Sequence, residues 1–461
     1  MKINSINPAT NEKNGELEVS SKQEIEDKFL LAKKARLSWQ QTSIKERVTA
    51  LKKVREVFKN HEEEISQIIT KEIGTPITEC RGEVAWDWSY FDWFLENAES
   101  SLSPKKTYED ESSIHEIWYE PYGVVAAITP WNLPFDMFVW SVIPNLLAGN
   151  VVIHKASEEC ILSGKLFADI MDEASLPVGV FQAVHGDAEQ GKQLVQQEID
   201  MIWFTGSYEV GHELYKIAAD KFIKVVLELG GSNPSIILAD ADIDQLLGSL
   251  IFKRFMFCGQ TCDALKRLIV HESVANELIK KLSSKIMSLQ VGDPAKAETQ
   301  MGPLVSKKQL AVLNGQVSDA LDNGAMVLAQ SNLTTDKEGA YFPATLLGNV
   351  TLEMRVWKEE VFGPVLPIVT FSTDEEAIEL ANDTPYGLGS QVFAKDQRKA
   401  LEIAARIKAG NVDINGVGHF KPASPFGGYK KSGIGREHGE HGFQELTQIK
   451  VVARPKIKGG I

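Results

Sequence analysis

The first hundred residues have the 3.6-residue periodicity of amphipathic helices. Apolar residues recur at three- and four-residue spacing through 21–72, with charged residues between them, and Ser21 with Glu24 is typical of a capping box. A second helical segment, 77–100, is rich in aromatic residues. We expect it to be a helix buried on several sides, and the sequence leaves open that one edge lines a substrate tunnel.

From about residue 113, short β-branched runs alternate with helical segments. This alternation predicts a parallel sheet with helices on its faces, and the economical architecture is an α/β fold of two α/β domains with a small strand element. The chain closes with a Gly-rich loop, a short helix and a strand within 425–455. The runs that predict the sheet strands are GVVAAITPW, NVVIHK, VFQAVHG, DMIWFTGS, KVVLELGG, SIILA, LIVHES, AYFPATLLG, VLPIVTFS, SQVFAKD and VDING.

Composition excludes several classes of protein. The chain has 461 residues, 43% hydrophobic and 24% charged, and a net charge of −14, which argues against sequence-independent nucleic-acid binding. Its four cysteines form neither a Cys-x-x-Cys pair nor a zinc-spaced cluster, so we expect no disulfide framework, no metal site and a reducing cytoplasm. The sequence shows no signal peptide and no apolar run long enough to span a membrane.

Three polar residues stand in patterns that favour chemistry. Cys262 follows Gly-Gln-Thr at what we predict to be the start of a helix, where the helix dipole would favour the thiolate. Glu228 ends a β-branched run before two glycines, and burial there would suit it to general-base work. Asn132 lies in a turn after a strand, where its amide could stabilise an oxyanion. Each residue also has a structural interpretation: an inert cysteine, a water-facing carboxylate and a turn asparagine.

The cofactor signals are weaker, because the chain has neither G-x-G-x-x-G nor a P-loop. A predicted strand ends in Lys155, and Glu158 follows three residues later. In dinucleotide-binding folds, an acidic residue just past a parallel strand binds the ribose hydroxyls. A strand-to-helix turn at 205–211 offers N–H groups to a phosphate. Taken singly, either could be ordinary surface structure.

Together these motifs resemble the aldehyde dehydrogenase superfamily. TPWN, VVIHK, FTGS, LELGG, GQTC, EEVFGP, NDTPYGLG and PFGGYKKSGIGRE occur in the family's order, and NPAT near the N-terminus also fits. The resemblance implies a Rossmann-like NAD-binding domain (1–102, 122–230 and 432–446), a catalytic domain (231–431) and oligomerisation strands (103–121 and 447–461). It also implies a homodimer or homotetramer.

The resemblance assigns roles by position. Cys262 would be the nucleophile, Asn132 and the Cys262 N–H the oxyanion hole, and Glu228 the base that hydrolyses a thioester. The cofactor, NAD with NADP as a second possibility, would be bound by Thr129, Pro130, Trp131, Lys155, Ser157, Glu158, Gly206, Ser207, Gly211, Leu229, Glu360 and Phe362. Two residues depart from the family pattern: Phe257 where Asn is frequent, and Ser141 where Lys is common.

The substrate is less determined than the reaction. The expected pocket wall is apolar and consists of Met137, Trp140, Met256, Phe420 and Phe426. An apolar wall cannot repay the desolvation of a carboxylate, so we favour neutral aliphatic or aromatic aldehydes over succinate semialdehyde. Arg254 or Lys421 could reverse this if either reached the pocket. A CoA-acylating semialdehyde dehydrogenase and a non-catalytic structural protein remain alternatives, although Glu228 argues against the first.

Overall fold

Four helices form a layer that precedes the first large sheet along the chain, as the periodicity predicts. The structure is a computed structural model that describes residues 1–333 and 338–456. Ser21 caps the first helix by accepting a hydrogen bond from the Glu24 N–H at 3.1 Å, and Ser43 and Glu46 form a full capping box on the second. The four helices of this layer are α1 (Lys22–Gln41), α2 (Ile44–Asn60), α3 (Glu62–Ile73) and α4 (Ile77–Leu102).

The first large sheet has six strands and is almost entirely parallel. Its strands are β5 (Val124–Thr129), β6 (Val151–Ala156), β7 (Phe181–Ala183), β8 (Met201–Thr205), β9 (Lys224–Glu228) and the antiparallel β17 (Gly433–Ile434). Their order across the sheet is β17-β9-β8-β5-β6-β7. The order reverses between β5 and β8, and ligands bind at such switch points in open α/β sheets, beyond the carboxyl ends of the strands.

The helices that cover this sheet connect its strands. They bury their apolar faces, together with the N-terminal helices, in one hydrophobic core. They are α5 (Pro134–Ala148), α6 (Ile161–Glu173), α7 (Ala188–Gln196) and α8 (Tyr208–Lys221), with α15 (Gly439–Glu445) added from the C-terminal end.

The second sheet has seven strands and its own core. The strands are β10 (Asn233–Ile237), β11 (Leu265–His271), β12 (Met326–Gln330), β13 (Thr345–Gly348), β14 (Val365–Phe371), β15 (Gln391–Phe393) and β16 (Asp413–Ile414). Their order is β12-β13-β14-β11-β10-β15-β16, and only the β12–β13 pair is antiparallel. The surrounding helices are α9 (Ile243–Phe255), α10 (Glu272–Met287), α11 (Lys307–Asp322), α12 (Arg355–Lys358), α13 (Asp374–Asn382) and α14 (Gln397–Ala404). Both sheets confirm the predicted α/β class.

Two smaller sheets complete the fold. The hairpin of β1 (Lys2–Ile6) and β2 (Lys13–Glu18) was not predicted, since its strands are polar and largely exposed. The other sheet joins β3 (Lys105–Glu109), β4 (Ser113–Pro121) and β18 (Thr447–Pro455) in the order β18-β4-β3. Residues 457–461 of the predicted oligomerisation strand lie outside the described residues. Across 1–333 and 338–456, no helix combines the length and the apolar character needed to cross a membrane.

Candidate active site

The chain crosses from one sheet to the other at 229–232, between β9 and β10, and a cavity of about 230 Å³ opens at this crossing. All three residues singled out for chemistry line it. Glu228 enters from the end of β9, Asn132 from the turn between β5 and α5, and Cys262 from the turn before β11. The complete lining is Pro130, Trp131, Asn132, Leu133, Met137, Trp140, Thr205, Gly206, Ser207, Glu228, Leu229, Gly230, Cys262, Asp263, Gln309, Glu360, Phe362, Phe420, Phe426 and Glu437.

The expectation that Cys262 begins a helix is wrong. Residues 265–271 form strand β11, and Cys262 lies in the turn that leads into it. The predicted strand LIVHES is confirmed, but it begins earlier than expected, at Leu265, and leaves no room for a helix that starts at Cys262. The argument for a thiolate favoured by a helix that starts at Cys262 therefore does not hold.

Instead, buried hydrogen bonds hold the Cys262 turn. The Asn233 side-chain N–H₂ donates to the Cys262 carbonyl at 2.8 Å and to the Ala264 carbonyl at 3.0 Å. The Gln260 carboxamide oxygen accepts from the Val305 N–H at 3.0 Å. Upstream, Phe257 and Cys258 both have left-handed backbone, with φ of 48° and 56°, a conformation that costs free energy for residues other than glycine. Hydrogen bonds thus hold the Cys262 turn directly after a strained segment.

The electrostatics of Cys262 depend on burial and on four charged neighbours, of which Glu360 and Glu228 raise the pKa of the thiol by their negative charge. Burial raises the pKa of its thiol, and the negative charge of Asp263 raises it further. The ammonium of Lys266, itself almost fully buried, acts in the opposite direction and lowers this pKa. The favourable charge for a thiolate therefore comes from a lysine four residues along the chain.

Glu228 is buried, with 3% of its surface exposed, and neither carboxylate oxygen has a hydrogen-bond partner. Burial raises its pKa well above the ordinary value, and the nearby carboxyl of Glu437 raises it further. The water-facing interpretation is excluded. An unpartnered carboxylate with a raised pKa beside a cysteine is suited to accepting a proton from water.

Glu360 is held at the opposite wall. Its Oε1 accepts from the buried Lys266 ammonium at 2.9 Å and from the Gly231 N–H at 3.0 Å. A Cβ at Gly230 would lie 2.2 Å from Glu360 Oε2, so only glycine permits this approach. Phe362 lies beside it and meets Trp131 edge to face, with centroids 5.6 Å apart.

The remaining predicted cofactor residues lie around the β5/β8 switch point. Gly206, Ser207 and Leu229 line the cavity, and Ser207 caps α8 by accepting from the Val210 N–H at 3.4 Å. A Cβ at Gly211 would lie 2.5 Å from Leu229, which explains the close packing of α8 on the end of β9.

A second group of these residues lies at the ends of β5 and β6, outside the cavity lining. It consists of Thr129, Lys155, Ser157 and Glu158. Lys155 is buried and donates to the Ala156 carbonyl at 3.1 Å, whereas Glu158 is exposed. The two groups together mark an elongated crevice rather than one pocket.

The predicted pocket wall is assembled in part. Met137, Trp140, Phe420 and Phe426 line the cavity, but Met256 does not. Arg254 points away from it, since its guanidinium is fully buried and donates to the carbonyls of Gly259, Val361 and Leu265. Lys421 is exposed and is not part of the lining.

Ser141, which departs from the family pattern, does not line the cavity. Its hydroxyl donates to the Met137 carbonyl of its own helix at 2.6 Å.

A cysteine, a buried carboxyl base and an amide donor line one cavity beside the switch point of the first sheet. Such a site is typical of an oxidoreductase that binds its substrate covalently through a cysteine. The model of the aldehyde dehydrogenase family matches residues 1–452, and the chain belongs to that family. The predicted family, fold and enzyme class are thereby confirmed.

Individual relatives agree. The NAD(P)+ succinate semialdehyde dehydrogenase Sad of Escherichia coli K12 is 34% identical over 455 residues, 98% of either chain. Peroxisomal aminoaldehyde dehydrogenase 1 of Pisum sativum is 35% identical over 464 residues, covering 98% of this chain and 92% of its own. The crystal structure of Staphylococcus aureus betaine aldehyde dehydrogenase in complex with NAD+ superposes with a TM-score of 0.94 at 30% identity, covering 98% and 91% of the two chains.

Sequence reasoning missed several residues of the site. Lys266, Asn233 and Glu437 were not singled out, although a lysine within a β-branched run and an asparagine at a strand start were available signals. Asp263 and Gln309 line the cavity with no local pattern that would have marked them. Their positions depend on how distant segments pack.

Proposed function

We propose that this chain oxidises an aldehyde to its carboxylic acid, with NAD as the preferred cofactor and NADP accepted less efficiently. The observation that carries the proposal is that Cys262, Asn132 and Glu228 line one cavity although they are far apart in sequence. Each of the three residues has one chemical task in such a reaction, and together they perform it without a metal ion.

The proposed steps use these groups in turn. The Cys262 thiolate attacks the aldehyde carbon and forms a thiohemiacetal, whose oxyanion accepts hydrogen bonds from the Asn132 amide and the Cys262 N–H. After oxidation, the carbon is held on Cys262 as a thioester. Glu228 then takes a proton from water, the resulting hydroxide attacks the thioester carbon, and the acid leaves as the C–S bond breaks.

The crevice fits a nicotinamide dinucleotide, which supplies the two-electron oxidation when bound. Glu158 is exposed at the end of β6, where a carboxylate can bind ribose hydroxyls. Ser207 is the N-cap of the fourteen-residue helix α8, whose N-terminal N–H groups can bind the pyrophosphate. Glu360, held by Lys266, with Phe362 and Trp131 would position the nicotinamide ribose and ring. The relatives named for NAD(P)+ or solved with NAD+ support the same cofactor.

The test is to mix the protein with NAD or NADP and a panel of aldehydes, and to follow absorbance of the reduced cofactor with and without CoA. We expect NAD-dependent turnover that releases the free acid without CoA. Strict dependence on CoA would favour the acylating alternative, and no turnover with any aldehyde would favour the structural one. A kcat/KM for NADP equal to that for NAD would contradict the assignment of Glu158.

For the substrate, we propose neutral aliphatic or aromatic aldehydes. No lysine, arginine or histidine lines the cavity among the described residues. Succinate semialdehyde remains the second candidate, supported by the name of one relative. A clear kcat/KM advantage for succinate semialdehyde over butyraldehyde or benzaldehyde would contradict the first choice.

We further propose that the first sheet belongs to the cofactor domain (1–102, 122–230 and 432–446), the second to the catalytic domain (231–431), and the third to a dimer or tetramer interface (103–121 and 447–461). The outer edge of β18 pairs with no other strand within the described residues, and Ile449 and Val451 are 62% and 64% exposed. Free edges invite pairing with another chain.

Deleting 447–461 should give monomer or aggregate in size-exclusion chromatography. Ile449→Lys is the milder variant, which leaves the strand in place. Elution of both like the full-length chain would contradict the assembly.

The four free cysteines support a reducing compartment such as the cytoplasm.

A further inference from the structure

The residue that follows the reacting cysteine carries a negative charge. Asp263 comes directly after Cys262 and lines the cavity, with 10% of its side chain exposed. Burial raises the pKa of the Cys262 thiol, and the Asp263 carboxylate raises it further, so this carboxylate disfavours the thiolate. The proposed reaction gives Asp263 no task, although its charge lies next to the atom that must ionise.

A lysine from another element compensates Asp263. Lys253 lies in the last turn of α9, with 13% of its side chain exposed, and its ammonium donates to Asp263 Oδ2 at 2.8 Å. Burial alone would raise the pKa of the carboxyl and lower the pKa of the ammonium. Each partner outweighs burial at the other, so the pKa of Asp263 lies below its ordinary value and the pKa of Lys253 above it. Both side chains are therefore charged, and the pair is neutral as a unit.

Lys253 also lines a second, smaller cavity of about 10 Å³, together with Asp263, Asp413 and His419. Asp413 Oδ1 lies 3.0 Å from His419 Nδ1. The other titratable groups that act on the pair are Cys262 of the same turn, Asp413 of β16, His419 of the loop after β16, and Tyr90 of α4. The negative charge of Asp413 favours the charged form of Lys253. Two carboxylates therefore keep this ammonium charged in spite of its burial.

We propose that the Lys253–Asp263 pair sets the fraction of Cys262 that is present as thiolate, because the ammonium offsets a carboxylate that would otherwise suppress ionisation. Lys253 does not line the catalytic cavity and acts through Asp263, so it is a positioning residue. The coupling is reciprocal: a thiolate at Cys262 favours the charged form of Lys253, so the ammonium favours the thiolate. The inference rests on the proposed function, since the reaction needs a thiolate at Cys262.

The test measures the rate at which iodoacetamide alkylates Cys262 at several pH values. Only the thiolate reacts, so the rate reports its fraction. Tandem mass spectrometry of the tryptic peptide 255–266 separates Cys262 from Cys258.

The two single variants should shift this rate in opposite directions. Lys253→Met leaves the Asp263 carboxylate uncompensated and should slow alkylation about fivefold at a given pH, a rise of about one unit in the pKa of the thiol with part of the loss offset by higher nucleophilicity. Asp263→Asn keeps the shape but leaves the ammonium uncompensated, and it should speed alkylation by a similar factor. The double variant should return to within about twofold of the unsubstituted protein.

A merely structural role of the pair would change the rate in the same direction in both single variants. Lys281→Met is the control, because it breaks a surface ion pair with Asp244 and should leave the rate unchanged. Changes of the same sign, no change, or a double variant that does not return would overturn the inference. If Lys253→Met does not fold, faster alkylation in Asp263→Asn and its cancellation in the double variant decide the question.

The readout needs no turnover, so the two failures are distinguishable. Absence of the opposite shifts contradicts this inference alone. The expected shifts in a protein that oxidises no aldehyde contradict the proposed function instead.

Discussion

The inner and outer parts of the crevice solve different physical problems. At the inner end, Glu228 is buried and Cys262 is half-buried, and both carboxylate oxygens of Glu228 lack hydrogen bonds. At the outer end, Glu158 is exposed. Electrostatic interactions are several times stronger in a buried site than in water. Single substitutions should therefore have large effects at the inner end and small ones at the outer end, and the predictions below test that gradient.

The largest effect is expected at the thiol. Cys262→Ala should abolish steady-state turnover, because Cys262 is the only cysteine among the described residues that lines the cavity and can form the thiohemiacetal. Cys258→Ala is the matched control, because Cys258 is a buried cysteine four residues before Cys262 and does not line the cavity. Its backbone is left-handed, and the alanine must adopt the same conformation. That control should retain turnover. Activity in Cys262→Ala, or equal loss in both variants, would contradict a special role for Cys262.

Glu228→Gln should slow the steady state by about 10²–10⁴-fold, the usual cost of losing a general base. Acylation does not need this base, so a first burst of reduced cofactor should persist in stopped-flow absorbance. Glu83→Gln removes a carboxyl that is also buried but does not line the cavity, and it should keep the steady-state rate. An unchanged rate in Glu228→Gln would refute the assignment.

The pH profile should respond to Glu437. A base with a raised pKa stays protonated to higher pH, so kcat limited by hydrolysis should rise as pH increases through that pKa. Burial and then Glu437 raise the pKa of Glu228, and burial raises that of Glu437 to about 8. Removing the like charge in Glu437→Gln should move the rising limb of kcat to lower pH by about one unit.

Glu440→Gln, an exposed carboxylate paired with Lys105, is the control for that shift and should not move the limb. A limb that moves to higher pH in Glu437→Gln would contradict the proposed coupling.

The smallest effect is expected at the outer end. Glu158→Gln should lower the ratio of kcat/KM for NAD to that for NADP only several-fold, because an exposed carboxylate repels a 2′-phosphate through water. Its neighbour Glu159 offers a control, since Glu159→Gln leaves the residue at the strand end intact. If the ratio changes equally in both variants, or rises in Glu158→Gln, the ribose contact is misassigned.

The parts of the fold that follow local periodicity were predictable. Helices α1 to α4 match the predicted segments, and so do the strands of both large sheets except β12 and β17, because apolar spacing reports which face is buried. The hairpin β1–β2 was missed, since its exposed polar strands carry no such pattern. Cys262 was expected to begin a helix, whereas the predicted strand LIVHES begins earlier, at Leu265, and leaves only a short turn at Cys262.

The sequence alone determined the family, the order of the motifs and the identities of Cys262, Glu228 and Asn132, because these are residue types at fixed places along one chain. The tertiary structure decided what surrounds them. It turned Arg254 toward backbone carbonyls, kept Met256 out of the cavity, paired Lys266 with Glu360 and brought Glu437 near Glu228. Charge and desolvation act through space, so the pKa of a buried group depends on neighbours that sequence separation does not reveal.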